Sequence, residues 1–539
     1  MKTLLDRYMN AMTNPDDTRQ GGNRRHGAAC SRVLVLLALG SLLGGCVVGP
    51  DYRKPLIAVP DQWAREKNSD SAAPPDLSHW WTRLHDRMLS QLIDEAVGGN
   101  LDVATAAARI REARAVYRQA GGALLPSLNG TASATRSSGG AAALQAGTAG
   151  TVSNTASPVA GNPGKLFQAG FDASWELDLF GANRRAVEAA KYGMEAAQWN
   201  LRSMLLTLIG DVASGYVQAR GYQARLALAR ETAASQEDTA RLTRLRFEVG
   251  AATGLDAANA AGQAETTRSM IPTLETAYAQ AVHGLSLLTG QPPEALMARM
   301  DKVEPIPVPE LPVPVGVPAQ ILLSRPDVRL AEREYARYTA RVGQAEAARY
   351  PSVRLIGNVT TSGTQFGDLI QRSSIGWSFG PSITIPLFSG GRLEASTEIA
   401  QAQRDQYFIA YRASVLNALK DVENASVALS RETGRLQSLQ ASAASYGNAA
   451  TLAHTLYQAG ASGFLDVLIA ERSLYSAQDS LIESQVLVAR DYIALNKALG
   501  GGWDGQIDTS TPVVRDTDTG PHLERASNQA LRATIVDSQ

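Results

Sequence analysis

The side chains able to ligate a metal or move protons are few in this chain and scattered. The six histidines are His26, His79, His85, His283, His454 and His522. His79 and His85 flank Trp80-Trp81, but no ligand cluster joins them. Both cysteines, Cys30 and Cys46, fall near the N-terminus, so no disulfide or Cys-rich metal centre braces the body. Gly-rich phosphate cradles are absent. What does recur is a glycine followed by a carboxylate. Phe247, Gly250, Thr253 and Asp256 form one such group, and Tyr457, Gly460, Ser462 and Asp466 form another. Gly250 and Gly460 suit left-handed helix caps, and Thr253 with Asp256 suits a capping box. Asp466 is followed nearly one turn later by Ile469. The chemistry open to this pair is electrostatic. A carboxylate repels like charges more as their spacing and the local dielectric fall. No nucleophile, base or cofactor motif accompanies these groups, so the expectation is a protein that is not an enzyme and uses no metal or cofactor.

One residue does carry covalent chemistry. Arg24, Arg25 and Arg32 precede the apolar run Val33 to Leu43, and Leu43-Gly44-Gly45-Cys46 follows. The run is too short to span a bilayer, which takes about 20 residues, and small residues precede the cut as in an export signal. The motif resembles the bacterial lipobox, which implies cleavage before Cys46 and acylation of that cysteine. Residues 1–45 are then a signal peptide with an upstream extension, and Met9 and Met12 are alternative starts. Several acyl chains, at about 0.8 kcal/mol per buried CH₂, anchor firmly. Val47 follows, not the Asp usually read as an inner-membrane retention signal.

The formal net charge is -1 and 19% of residues are charged, which argues against nucleic acid as a partner. The chain also repeats itself. Asp102-Val103, Ala106, Gln119, Pro126 and Ser127 recur as Asp327-Val328, Ala331, Gln344, Pro351 and Ser352. Leu179-Phe180 with Arg184 recurs as Leu387-Phe388 with Arg392, and Phe247, Gly250 and Asp256 as Tyr457, Gly460 and Asp466. The first half is longer between the Pro-Ser and Leu-Phe landmarks. The excess falls in Ser137 to Gly164, a Gly, Ala, Ser and Thr stretch that reads as a flexible loop. The divisions are therefore 46–100, an N-terminal segment and equatorial region; 101–300, the first repeat; 301–320, a Pro-rich linker; 321–503, the second repeat; and 504–539, a polar tail expected to be disordered.

Each half carries one strictly alternating segment. Phe167, Ala169, Phe171, Ala173, Trp175, Leu177 and Leu179 point one way, and Gln168, Gly170, Asp172, Ser174, Glu176 and Asp178 the other. Ile375, Trp377, Phe379, Pro381, Ile383, Ile385 and Leu387 do the same against Ser374, Gly376, Ser378, Gly380, Ser382 and Thr384. A weaker strand precedes each, over about Leu125 to Thr135 and Val353 to Thr361. The lengths suit tilted strands crossing a bilayer, where about 9–11 residues suffice. Four strands cannot close a transmembrane barrel, and an open edge in lipid leaves backbone groups without partners. Closure then requires strands from other chains. A dimer gives eight and a trimer twelve, and the pattern alone does not choose.

Two long proline-free runs, Arg185 to Glu248 and Arg392 to Gln458, consist of helix formers. At 1.5 Å per residue each is on the order of 90 Å long. A second helix returns after each, over about Leu255 to Leu288 and Phe464 to Leu499, with Pro272 expected to mark a kink or joint. Apolar residues recur at three and four, as in coiled-coil hairpins.

Cys46-Val47-Val48-Gly49-Pro50-Asp51-Tyr52, Trp80-Trp81, Asn100-Leu101-Asp102, Arg325-Pro326-Asp327-Val328 and Pro386-Leu387-Phe388 together resemble the outer-membrane efflux lipoproteins of the TolC, OprM and NodT kind. The resemblance covers about Cys46 to Trp503. It implies a mixed α+β membrane protein whose homotrimer forms a twelve-stranded transmembrane β-barrel, four strands per chain, continued by a long periplasmic α-helical barrel. It implies the outer-membrane channel of a tripartite efflux pump, a passive export duct for small molecules such as drugs or toxic compounds. The implied partners are a periplasmic adaptor, an inner-membrane resistance-nodulation-division pump and outer-membrane lipid, with the chain lipid-anchored and reaching into the periplasm. Phe247, Gly250, Thr253, Asp256, Tyr457, Gly460 and Ser462 then fall at the periplasmic tip that meets the adaptor. Asp466 and Ile469 become gate candidates, with Arg244 and Arg246 as arginines that could hold the carboxylate. Ile469 stands where the family usually has Asp. Two other readings are a type I secretion duct, which the Cys46 to Pro55 block disfavours, and a lipid-anchored coiled-coil scaffold, which has no need of alternating strands.

Overall fold

The structure is a computed structural model that describes residues 47–57, 77–137, 164–309 and 319–512. Its elements in chain order are α1 (Arg87–Gly99), α2 (Leu101–Gly122), β1 (Ser127–Ser137), β2 (Gly164–Leu177), α3 (Ala182–Glu248), α4 (Gly254–Leu288), α5 (Pro326–Ala347), β3 (Ser352–Gly363), β4 (Ile375–Thr384), α6 (Arg392–Gln458) and α7 (Phe464–Ala498). Corresponding helices of the two halves match in length. The pair α2 and α5 have 22 residues each, α3 and α6 have 67, and α4 and α7 have 35.

The chain divides into two compact units, and the first holds the strands. They form one antiparallel sheet in the order β1-β2-β3-β4, so β1 and β4 each have one unpaired edge. The register sets Gly130, Phe171, Val359 and Trp377 in one row, and Asn129, Asp172, Asn358 and Ser378 in the next. Because side chains alternate, these rows face opposite sides. The first side is apolar and uncovered in the single chain: Trp377 is 77% exposed and Phe379 68%. The second is polar and internally bonded. Asn358 Oδ1 accepts from the Ser378 hydroxyl at 2.9 Å, and Arg354 donates to Glu176 at 3.2 Å.

The strands end earlier than the apolar alternation. Leu179 lies beyond β2 because Asp178 turns back to receive the amides of Asn183 and Arg184 at 3.1 and 2.8 Å, and so starts α3. Ile385 and Leu387 lie beyond β4, next to Pro386, which has no N–H for a ladder.

The second unit is helical. Its largest apolar core gathers Trp80 and Trp81 from a 3₁₀ turn, Leu89, Leu92 and Ile93 from α1, Val212 and Tyr216 from α3, and Tyr492 and Ile493 from α7. Asp86 caps α1 by accepting from the Leu89 amide at 2.9 Å and also receives the Tyr216 hydroxyl at 2.7 Å. The extended segment Asp51 to Ile57 is a strap tied to α3 and α5. Arg185 donates to Asp51 at 2.7 Å and to the Gly49 carbonyl at 3.1 Å. Tyr52 packs edge-on against Tyr192 and Tyr335 and donates to Glu332 at 2.8 Å.

Pro272 lies inside α4, which continues through it as one helix. The start of the polar tail is held, not loose: Arg111 donates to the Thr511 carbonyl at 3.2 Å, and Trp503 and Ile507 pack on the core. Asp508 accepts from Ser510 and Thr511, which lowers its carboxyl to about 2. The signal peptide, Cys46, the Gly-Ser-Thr loop between β1 and β2, and most of the Pro-rich linker and tail lie outside the described residues. Among the described residues no helix is long and apolar enough to cross a membrane.

Candidate functional site

The two long hairpins turn at residues 249–253 and 459–463. Both turns are built alike. Gly250 has φ 77° and Gly460 φ 72°, the left-handed region where a Cβ is penalised. The amides of Gly250 and Ala251 return to the carbonyls of Phe247 and Arg246, and those of Gly460 and Ala461 to Tyr457 and Leu456. Each is a Schellman cap. The N-terminal caps of the returning helices differ. Thr253 and Asp256 bond reciprocally, backbone amide to side chain, at 3.1 Å in both directions. The matching position in the second turn is Gly463, which has no side-chain cap. Asp256 is therefore occupied as a cap, whereas Asp466 is not.

The two hairpins meet in a small core of Ala260, Tyr457, Phe464 and Val467. Arg246 clasps one to the other. Its guanidinium lies 4.4 Å from the Tyr457 ring centroid and donates to the Tyr457 carbonyl at 3.0 Å. Tyr457 is only 6% exposed, so it holds the tip together from within and is not an outward contact, unlike its repeat counterpart Phe247. Arg244 pairs with Glu248 at 3.5 Å. Within one chain, then, neither arginine expected at Asp466 reaches it. Asp466 and Ile469 are both exposed, three residues apart on α7. Ser462 differs again: its hydroxyl is buried without a hydrogen-bond partner.

Higher on the same helices, Glu471 lies almost wholly buried and contacts His454 Nε2 at 2.8 Å. Burial pushes its carboxyl above the ordinary value, against the pull of His454 and Thr239. The pattern of apolar residues gave no sign of this pair or of the Arg246 clasp, because both join polar side chains on different helices that are distant in sequence. Among the described residues no three His, Cys, Asp or Glu side chains converge to hold a metal.

Comparison with known proteins follows the same lines. Residues 92–291 and 317–501 match the family model for outer membrane efflux protein. Nodulation protein T of Rhizobium leguminosarum bv. trifolii is 35% identical over 472 residues, covering 86% of this chain and 96% of that protein. Cation efflux system protein CusC of Escherichia coli (strain K12) is 31% identical over 465 residues, covering 85% and 97%. Among solved structures, the outer-membrane channel OprN is similar at a TM-score of 0.77 and 32% identity, covering 85% of this chain and 100% of that one.

Proposed function

We propose, from the premise that this chain belongs to the outer membrane efflux protein family, that three copies close into one duct serving a tripartite pump. The chain is an outer-membrane efflux channel. In this reading twelve strands form its barrel. A periplasmic adaptor meets the hairpin tips, a resistance-nodulation-division pump in the inner membrane supplies the energy, and lipid on Cys46 anchors each chain.

The observation that carries this reading is the sheet. It has an uncovered apolar face, a polar face and two unpaired edges. Unpaired backbone groups in hydrocarbon cost several kcal/mol each, so a four-stranded sheet of this kind needs neighbours. Three copies supply them and place Asn129, Asp172, Asn358 and Ser378 around water. A charged solute that would pay tens of kcal/mol to enter hydrocarbon then has a wet path. The cargo is a small molecule and the duct does no chemistry on it. At the tip, the buried hydroxyl of Ser462 and the free carboxylate of Asp466 are groups left for a neighbouring chain or the adaptor. Native mass spectrometry of the full chain in mild detergent tests the assembly. A trimer is expected, and a monomer or dimer contradicts it.

A further inference from the structure

A groove of about 590 Å³ opens on the second unit between α2, α3 and α5. Its floor is a run of small residues on α3: Ala186, Ala190, Gly193 and Ala197. At 100° per residue these lie on one face of the helix. Its walls carry three guanidiniums, Arg109 from α2 and Arg337 and Arg341 from α5. Two carboxylates share the groove. Glu334 lies 3.4 Å from Arg337, and Glu112 stands one turn from Arg109 without forming an ion pair.

Arg337 lies across the floor, its Nε 3.5 Å from where a Cβ on Gly193 would sit. Arg341 rests 4.6 Å from the Tyr338 ring centroid. Among the described residues neither Arg109 nor Arg341 reaches a carboxylate, though the surface around them is rich in ion pairs. Two guanidiniums with unused planar donor forks, beside a floor of small side chains, suit a carboxylate or a similar oxyanion on an apolar body. The volume falls in the range of small-molecule sites, about 300–1,000 Å³.

The groove also has a defined side. Glu332 and Tyr335, which receive Tyr52 of the strap, occupy one face of α5. Glu334, Arg337 and Arg341 occupy the opposite one by helical periodicity. In the duct reading the strap leads to the lipid on Cys46 and runs outside the assembled duct, which turns the groove toward the interior.

We propose that this arginine-walled groove is a binding station on the export path for organic anions with an apolar body. The proposal rests on the duct reading. The full-length trimer, held in amphipol, is dialysed to equilibrium against 1-naphthoate and against uncharged 1-naphthamide. The same protein in a planar bilayer is tested for current block by 1-naphthoate. The expected result is saturable naphthoate binding, much weaker naphthamide binding, and about a tenfold loss of affinity in Arg341→Gln, the size of one charge-assisted bond. Arg341→Lys should recover part of it, and Ala190→Phe should remove binding by filling the floor. Arg109→Gln alters an exposed, unpaired side chain and should also lose affinity, so the test stands if Arg341→Gln fails to assemble. Equal naphthoate affinity in the parent, Arg109→Gln and Ala190→Phe overturns the proposal, as does equal binding of the amide. A parent that is monomeric or dimeric by native mass spectrometry overturns the duct reading instead, and dialysis reports on the groove independently.

Discussion

Glu332→Gln tests whether the strap is held by a buried charge. Glu332 is 1% exposed and accepts three charged or phenolic donors: Tyr52 at 2.8 Å, Arg333 at 2.7 Å and Arg329 at 2.8 Å. Burial alone pushes its carboxyl up. The bonds from Tyr52 and Arg329 and the charge of Arg333 outweigh that and hold it below the ordinary 4.5. Breaking a fully buried pair costs about 3–5 kcal/mol. The side chains of Arg329 and Arg333 keep 28% and 20% exposure, and Arg333 retains Glu195 at 3.0 Å. The expected loss is therefore smaller, about 2–3 kcal/mol. For a chain of this size that lowers the melting temperature by roughly 2–3 °C. The sign with pH is fixed by the depressed carboxyl. Its contribution is complete above the unfolded value and disappears as pH falls through the folded one. Circular dichroism melting of parent and variant should show the full gap at pH 7, closing below about pH 4. A gap under about 1 °C at pH 7, or one that does not shrink on acidification, refutes the reasoning.

Cys46→Ser should abolish acylation, and mass spectrometry that finds the parent unmodified at Cys46, or its leader retained, removes the anchor from the reading. At the tip, Asp466→Asn should change cation block and selectivity of the isolated trimer, and Ile469→Ser should raise its conductance. Unchanged single-channel records from both variants place the gate elsewhere.

Much of this architecture could be read from residue order. The helix ends were legible because glycine with positive φ closes each long run, and no proline interrupts the helices before it. The strands were legible because alternation of Phe171 and Trp175 against Asp172 and Glu176 has only one backbone period that fits. Their ends were not. Whether Leu179 continued β2 depended on Asp178 turning to cap α3, a local choice that hydrophobicity does not encode. The tip residues were found by repetition, but repetition hid their divergence. Phe247 and Tyr457 look equivalent, yet only Tyr457 is buried, because Arg246 and Phe464 close over it. The arginine-walled groove was invisible for a different reason. Ala190 and Gly193 read as ordinary helix surface, and nothing in the order of residues shows that Arg341 finds no carboxylate.

The unpaired edges of β1 and β4 also bear on the life of the chain before it assembles. A newly exported copy crossing the periplasm carries two raw ladders and a face of aromatic side chains, the ingredients of edge-to-edge aggregation. In the proposed trimer, strands of neighbouring chains cover both edges. Pro381 in β4 offers no donor to any ladder, native or not, and so acts as a modest brake on wrong pairing.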